Sequence, residues 1–67
     1  MDTTTYYPNA EMARDHLYRK GYEFTEAHFD EEGFWRGDAF DRPDGARAAV
    51  EPTAEAPKVL VTLIPGV

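Results

Sequence analysis

The sequence contains no cysteine and no serine. The first absence removes disulfide staples, thiolate metal sites and cysteine catalysis. The second removes the commonest hydroxyl nucleophile. A small secreted domain usually needs staples, so their absence points to a cytoplasmic protein. Long apolar runs are missing too. The longest is "VLVTLI", residues 59–64, far short of the ~20 residues that span a bilayer. "MDTTTYYPNA" has neither a basic nor an apolar region and does not read as a signal peptide. Cations are few: seven Lys and Arg face thirteen Asp and Glu, for a net charge of -6. Such a chain repels nucleic acid and anionic membrane, so a large partner is expected to be basic.

What is present fits one small domain over residues 1–67. A chain this size buries only about 60% of its unfolded surface. It has little room for both a core and a catalytic pocket of ~300–1,000 Å3. A non-enzymatic protein is therefore expected.

The charge is unevenly placed. Residues 23–44 hold eight carboxylates (Glu23, Glu26, Asp30, Glu31, Glu32, Asp38, Asp41 and Asp44) and two cations, Arg36 and Arg42. The rest of the chain holds five acids and five bases and is neutral. The whole net charge lies in one segment.

Residues 1–7 read as extended, with Thr and Tyr suited to a short edge strand. "PNAEMARDHLYRKG" carries the signals of a helix near residues 9–20. Asn9 is the N-cap, Glu11 lies in the first turn, Arg19 and Lys20 lie in the last, and Gly21 follows. Ala10, Met12, Ala13, His16 and Leu17 share its apolar face. "YEFTEAHF" (22–29) alternates, then slips near Glu26, where a β-bulge restores the pattern. "DEEG" (30–33) is a turn, and "FWRGDAFD" (34–41) is the returning strand. There Phe34, Arg36, Asp38 and Phe40 share one face, and Trp35, Gly37, Ala39 and Asp41 the other. "RPDG" (42–45) is a second turn, followed by a short strand at 46–51 and a proline-bounded loop at 52–57. The strand at 58–64 is apolar on both faces and so central. Short turns make these strands antiparallel. The expected fold is α+β in two layers: one N-terminal amphipathic helix packed on a three- to four-stranded antiparallel sheet.

Four features bear on chemistry. "DEEG" with Asp38 and Asp41 lacks the alternating ligands of a calcium loop and reads as a solvated turn, so no metal or other cofactor is expected. His16 and His28 have Asp15 and Glu26 beside them but no Ser or Cys to activate. A packing histidine and a surface histidine are their ordinary readings, and no catalytic residue is assigned. The aromatics are most simply core, yet by strict alternation both faces of the first hairpin carry them and one helix covers only one face. Some rings then stay exposed, Trp35 foremost and Tyr6, Tyr7 and Tyr18 after it, and an exposed ring beside carboxylates is a common interface anchor. The acidic hairpin itself reads either as a solubilising surface or as a binding surface. A net -6 along a strand of about 27 Å, at ~3.4 Å per residue, is about one charge per ~4.5 Å. One DNA strand carries one per ~3.4 Å.

In size, acidity, "AEMARDHLYRKG" helix and "EAHFDEEGFWRGDAFD" hairpin, the chain resembles the small acidic anti-CRISPR proteins of phages and mobile elements, the type I-C inhibitors in particular. The resemblance implies a monomeric inhibitor whose acidic face blocks the DNA-binding surface of a type I CRISPR surveillance complex, on its large Cas8-type subunit. The helix followed by "GY" is also similar to PepSY-like domains, which are usually exported.

The expectation is a non-enzymatic acidic protein that covers the basic, nucleic-acid-binding surface of a partner without binding nucleic acid or membrane itself. Its partner-binding residues are Glu26, Asp30, Glu31, Glu32, Trp35, Asp38 and Asp41. The alternative is an adaptor or antitoxin-like regulator that binds through exposed aromatics or a sheet edge.

Overall fold

In a computed structural model of the chain, residues 2–66 are described. Met1 and Val67, expected in the extended lead-in and the closing "PGV", lie outside the described residues. The helix α1 spans Ala10–Arg19. Its start is set by Asn9, whose side-chain oxygen accepts from the Met12 backbone N–H at 2.9 Å. Its end is a Schellman turn. The Gly21 N–H donates to Tyr18 O at 3.1 Å, and the Tyr22 N–H to Leu17 O at 3.0 Å. Gly21 takes φ +89, which a side chain would resist. Leu17 and Tyr22 are both buried, which supplies the apolar contact such a turn favours.

Five strands form one antiparallel sheet: β1 (Thr3–Tyr7), β2 (Glu23–Phe29), β3 (Trp35–Asp41), β4 (Arg47–Pro52) and β5 (Val59–Ile64). Their order is β1-β5-β4-β3-β2. The expected α+β fold with one helix and an antiparallel sheet is present, but three to four strands is an undercount. The polar "TTTYY" segment is a full edge strand, paired from Thr3 with Leu63 to Tyr7 with Val59. An edge strand with little buried side chain has no apolar alternation to announce it. β5 lies between β1 and β4, a central strand as expected.

β1 and β2 occupy opposite edges of the sheet and run in the same direction. The helix that joins them must therefore cross one face diagonally, from the end of β1 to the start of β2. It packs over β1, β5 and β4. The core lies beneath it: Ala13 and Leu17 from α1, with Phe40, Ala48, Val50, Val59 and Val61 from the sheet. Beyond its edge lies the far corner of the same face, formed by β2 and β3.

Two bulges shape that corner. One falls at Thr25, between Phe24 and Glu26, where the alternation slips. The other lets β3 pass from Gly37 to Trp35 while β2 advances one residue, from His28 to Phe29. Arg36 is the extra residue, and its insertion turns Trp35 to the helix side. This corrects the face expected for Trp35: it lies with Asp38 and Phe40, not with Ala39 and Asp41. The bulges also gather the aromatics. Tyr22, Phe24, Phe29, Trp35 and Phe40 all lie on the helix side, not on both faces as strict alternation would have it.

Candidate interaction surface

The seven expected contact residues do not form one patch. Asp38 lies on the floor of the helix-side face and is 3% exposed. Arg14 of α1 donates from Nε to its Oδ2 at 2.9 Å, and the Trp35 indole N–H donates to its Oδ1 at 2.9 Å. Asp38 is thus a structural carboxylate, and it is removed from the expected contact set. The period-2 pattern placed it correctly beside Phe40, but nothing in that pattern announced a cation from the helix. Arg14 falls on the polar side of the helix wheel, so its inward reach was missed.

Asp30 shapes the β2–β3 turn. Its Oδ1 accepts from the backbone N–H groups of Glu32 and Phe34 at 2.9 and 3.0 Å, and its Oδ2 accepts from Arg36 Nε at 2.9 Å. The Phe34 N–H, with help from the Arg36 guanidinium, holds the Asp30 carboxyl below the usual aspartate range. Asp44 does the same in the next turn. Its Oδ2 takes Arg42 Nη2 at 2.7 Å and its Oδ1 takes the Ala46 N–H at 3.0 Å, which again lowers its pKa. Asp41 points to the open face, away from the helix, 3.4 Å from Arg47.

Four of the eight carboxylates in residues 23–44 are therefore engaged by arginines: Asp30 with Arg36, Asp38 with Arg14, Asp41 with Arg47, and Asp44 with Arg42. Arg14 and Arg47 come from outside the segment, so its local balance is weaker than its composition. The four that remain are Glu23, Glu26, Glu31 and Glu32. Glu26 has only His28 nearby, at 3.7 Å. All four stand on β2 or its turn. Four charges over about 27 Å is one per ~7 Å, about twice the spacing of a single phosphate strand.

Glu23 and Glu26 pair with Asp41 and Ala39 and so stand on the open face, while the aromatic corner lies on the helix side. Phe24, Phe29 and Tyr18 are 45%, 62% and 52% exposed. With Ala27, Trp35 and Arg14 they border a groove of about 350 Å3 between α1 and the hairpin. Phe24 and Tyr18 both stack edge-on against buried Phe40, with centroids 5.7 and 5.9 Å away. Their outer faces are exposed but their positions are fixed from below. Trp35 is half-buried and tied by its indole N–H, so it forms wall rather than a free anchor. Phe24 and Phe29, read from sequence as core, are the more exposed rings.

His16 and His28 lie apart. His16 packs on Tyr7, with centroids 5.4 Å apart, and His28 sits on the open face opposite Gly37. Among the described residues no three His, Asp or Glu side chains group as metal ligands. Among the described residues no helix is long and apolar enough to cross a membrane. No family model, curated protein or solved structure matches this chain.

Proposed function

We propose that the protein is a non-enzymatic binding protein that covers a basic surface of a protein partner with its β2–β3 hairpin. One observation carries this reading. Among the described residues seven carboxylates lack an Arg, Lys or His partner within 4.0 Å or have only His28, and four of them, Glu23, Glu26, Glu31 and Glu32, line β2 and its turn, with Glu23 and Glu26 on the open face opposite the exposed rings. A basic surface that normally holds nucleic acid is the natural target of such a fringe. The likeness to the small acidic anti-CRISPR proteins makes a type I surveillance complex the first partner to try. The charge spacing favours blocking of a basic site over close imitation of a phosphate strand.

The test measures target-DNA binding by a purified type I-C surveillance complex with the protein added. The wild type is expected to inhibit, and Glu26→Lys/Glu31→Lys/Glu32→Lys is expected to weaken inhibition at least tenfold while keeping the native fold by circular dichroism. Absence of inhibition by the wild type removes this partner. Equal inhibition by the triple variant removes the charge reading altogether. A second reading, an adaptor that binds through rings, is favoured by the exposure of Phe24 and Phe29. It predicts a partner affinity that barely changes between 50 and 500 mM salt, where the charge reading predicts a steep fall.

A further inference from the structure

We infer that β1 is a self-association edge, on which a second copy of this chain lays its own β1 antiparallel to make one continuous sheet. The inference goes beyond the hairpin reading and leaves that surface free, because β2 lies at the opposite edge. It also departs from the monomer that the resemblance implies. The two edges are built differently. β2 carries Glu23 and Glu26 and is broken by two bulges, devices that keep other strands off an edge. β1 has neither. Thr3–Tyr7 holds no charged residue, and it runs against β5 in unbroken register from Thr3 with Leu63 to Tyr7 with Val59. Alternate residues of such a strand turn their N–H and C=O groups away from the neighbour they pair with. Among the described residues no strand takes these outward groups of β1.

Charge selects a second copy over any other strand. Tyr7 packs on the helix side, so alternation puts Tyr6, Thr4 and, one step further, Asp2 on the open face. Asp2 has no cation within 4.0 Å among the described residues. Lys58 stands at the other end of the strand, with its ammonium 4.6 Å from the centre of the Tyr6 ring. Its contact with Glu55 is stretched to 4.0 Å. The edge has an acid at its start and a cation at its end, and antiparallel self-pairing brings those ends together twice. With Thr5 on the two-fold axis every residue of β1 pairs: Thr5 with the partner's Thr5, Thr4 with the partner's Tyr6, and Thr3 with the partner's Tyr7. Registers centred on Thr4 or Tyr6 pair fewer. The partner's Asp2 then becomes the diagonal neighbour of Tyr6, at the ~7–8 Å that long side chains bridge, and meets the Lys58 ammonium over that ring.

The lack of cysteine makes a cross-linking test clean. In this register the two Thr5 Cα atoms stand ~4.5–5.5 Å apart, inside the ~4.4–6.8 Å that a disulfide spans. The two Thr4 are out of step and stand ~8 Å apart, from ~3.4 Å per residue along the strand and ~4.8 Å between strands, beyond that span. Both side chains are exposed, so both cysteine variants are expected to fold. In a glutathione redox buffer Thr5→Cys is expected to form a disulfide dimer at least tenfold faster than Thr4→Cys. Sedimentation of the wild type is expected to show a weak dimer that fills toward ~1 mM, as suits so short a seam. Thr5→Lys sets two ammonium groups on the axis and is expected to abolish the dimer while circular dichroism stays native. Asp2→Lys is expected to weaken it at least threefold, and Asp2→Lys/Lys58→Asp to restore it to within twofold of the wild type. Equal cross-linking of the two cysteine variants, a wild type that stays monomeric at that concentration, or a double variant no better than Asp2→Lys overturns the pairing.

Discussion

Arg14 and Asp38 join the helix to the sheet through a hydrogen-bonded ion pair 2.9 Å long, in which the carboxylate is enclosed and the arginine side chain is 41% exposed. The pair sits where α1 leaves the core and the groove begins. Removing Arg14 strands a buried carboxylate with the Trp35 indole as its sole side-chain donor. Arg14→Ala is expected to cost about 1.5–3 kcal/mol in urea unfolding, the range for a hydrogen bond to a charged group. It should cost less than the ~3–5 kcal/mol of a fully buried pair, because water reaches the guanidinium. Replacing both residues by Leu is expected to recover most of the loss. Additive losses in the double variant would show that the two residues do not act together.

The same carboxylate depends on Trp35. Trp35→Phe keeps most of the apolar contact and removes the N–H that Asp38 Oδ1 accepts. The expected cost is about 1–2 kcal/mol. Trp35→Phe in an Asp38→Leu background is expected to cost less than half as much, measured by the same unfolding cycle.

These two predictions mark where sequence reasoning ended. The helix was legible because its cap, first turn, last turn and closing glycine agree with each other. The strands were legible because turn residues punctuate them, and the bulge near Glu26 because alternation visibly slips there. The second bulge was not legible. "WRGD" alternates without fault, and only its pairing with β2 makes Arg36 supernumerary and brings Trp35 onto the face of Asp38. β1 was legible as extended, but its pairing with β5 is a long-range fact. The acidic surplus of residues 23–44 was countable; the engagement of half its carboxylates by arginines, two from elsewhere, was not. Local pattern reports local geometry, while ion pairing across 24 residues of sequence, as between Arg14 and Asp38, does not register in it.

Glycine requirements differ sharply between the turn and the returning strand of the same hairpin. At Gly37 a Cβ would meet the Val50 carbonyl oxygen at 2.7 Å, with φ at +148. At Gly33 φ is +87 and nothing lies within 4 Å. Gly33→Ala is expected to cost about 1 kcal/mol, the left-handed penalty alone. Gly37→Ala is expected to cost at least about 2–3 kcal/mol, because the backbone of β4 must also give way. Equal midpoints for the two variants in urea would contradict the close approach.

Asp30 links stability to pH. Its folded pKa lies below the ordinary aspartate value of about 3.9. The unfolded chain therefore binds its proton first as pH falls, so the contribution of Asp30 is full above about pH 5 and is lost as pH drops through the folded value. A carbon-detected titration is expected to place the Asp30 midpoint below 3.9, and Arg36→Ala to raise it partway. Phe34 N–H donation is the larger cause, so Arg36→Ala is not expected to restore the ordinary value. A full return in that variant would reverse the ranking of the two causes.

The remaining carboxylates give the test that separates solubility from function. Glu23, Glu26, Glu31 and Glu32 are exposed and take no cation other than the distant His28. Changing all four to Gln removes like-charge repulsion on one edge of the sheet and breaks no ion pair with an arginine or lysine. Stability in low salt is expected to stay level or rise, within about 0.5 kcal/mol per site for exposed positions. The four arginine-bound aspartates should behave oppositely, since Asp30→Ala and Asp44→Ala each remove backbone hydrogen bonds from a turn. If the four glutamates only kept the protein in solution, the Gln variant would lose solubility and keep its inhibition. If they meet a basic partner, it keeps its fold and loses inhibition, most steeply at low salt, where the Debye length is longest. A marked fall in folding stability would deny both, because it would make these four side chains part of what holds β2 to the sheet.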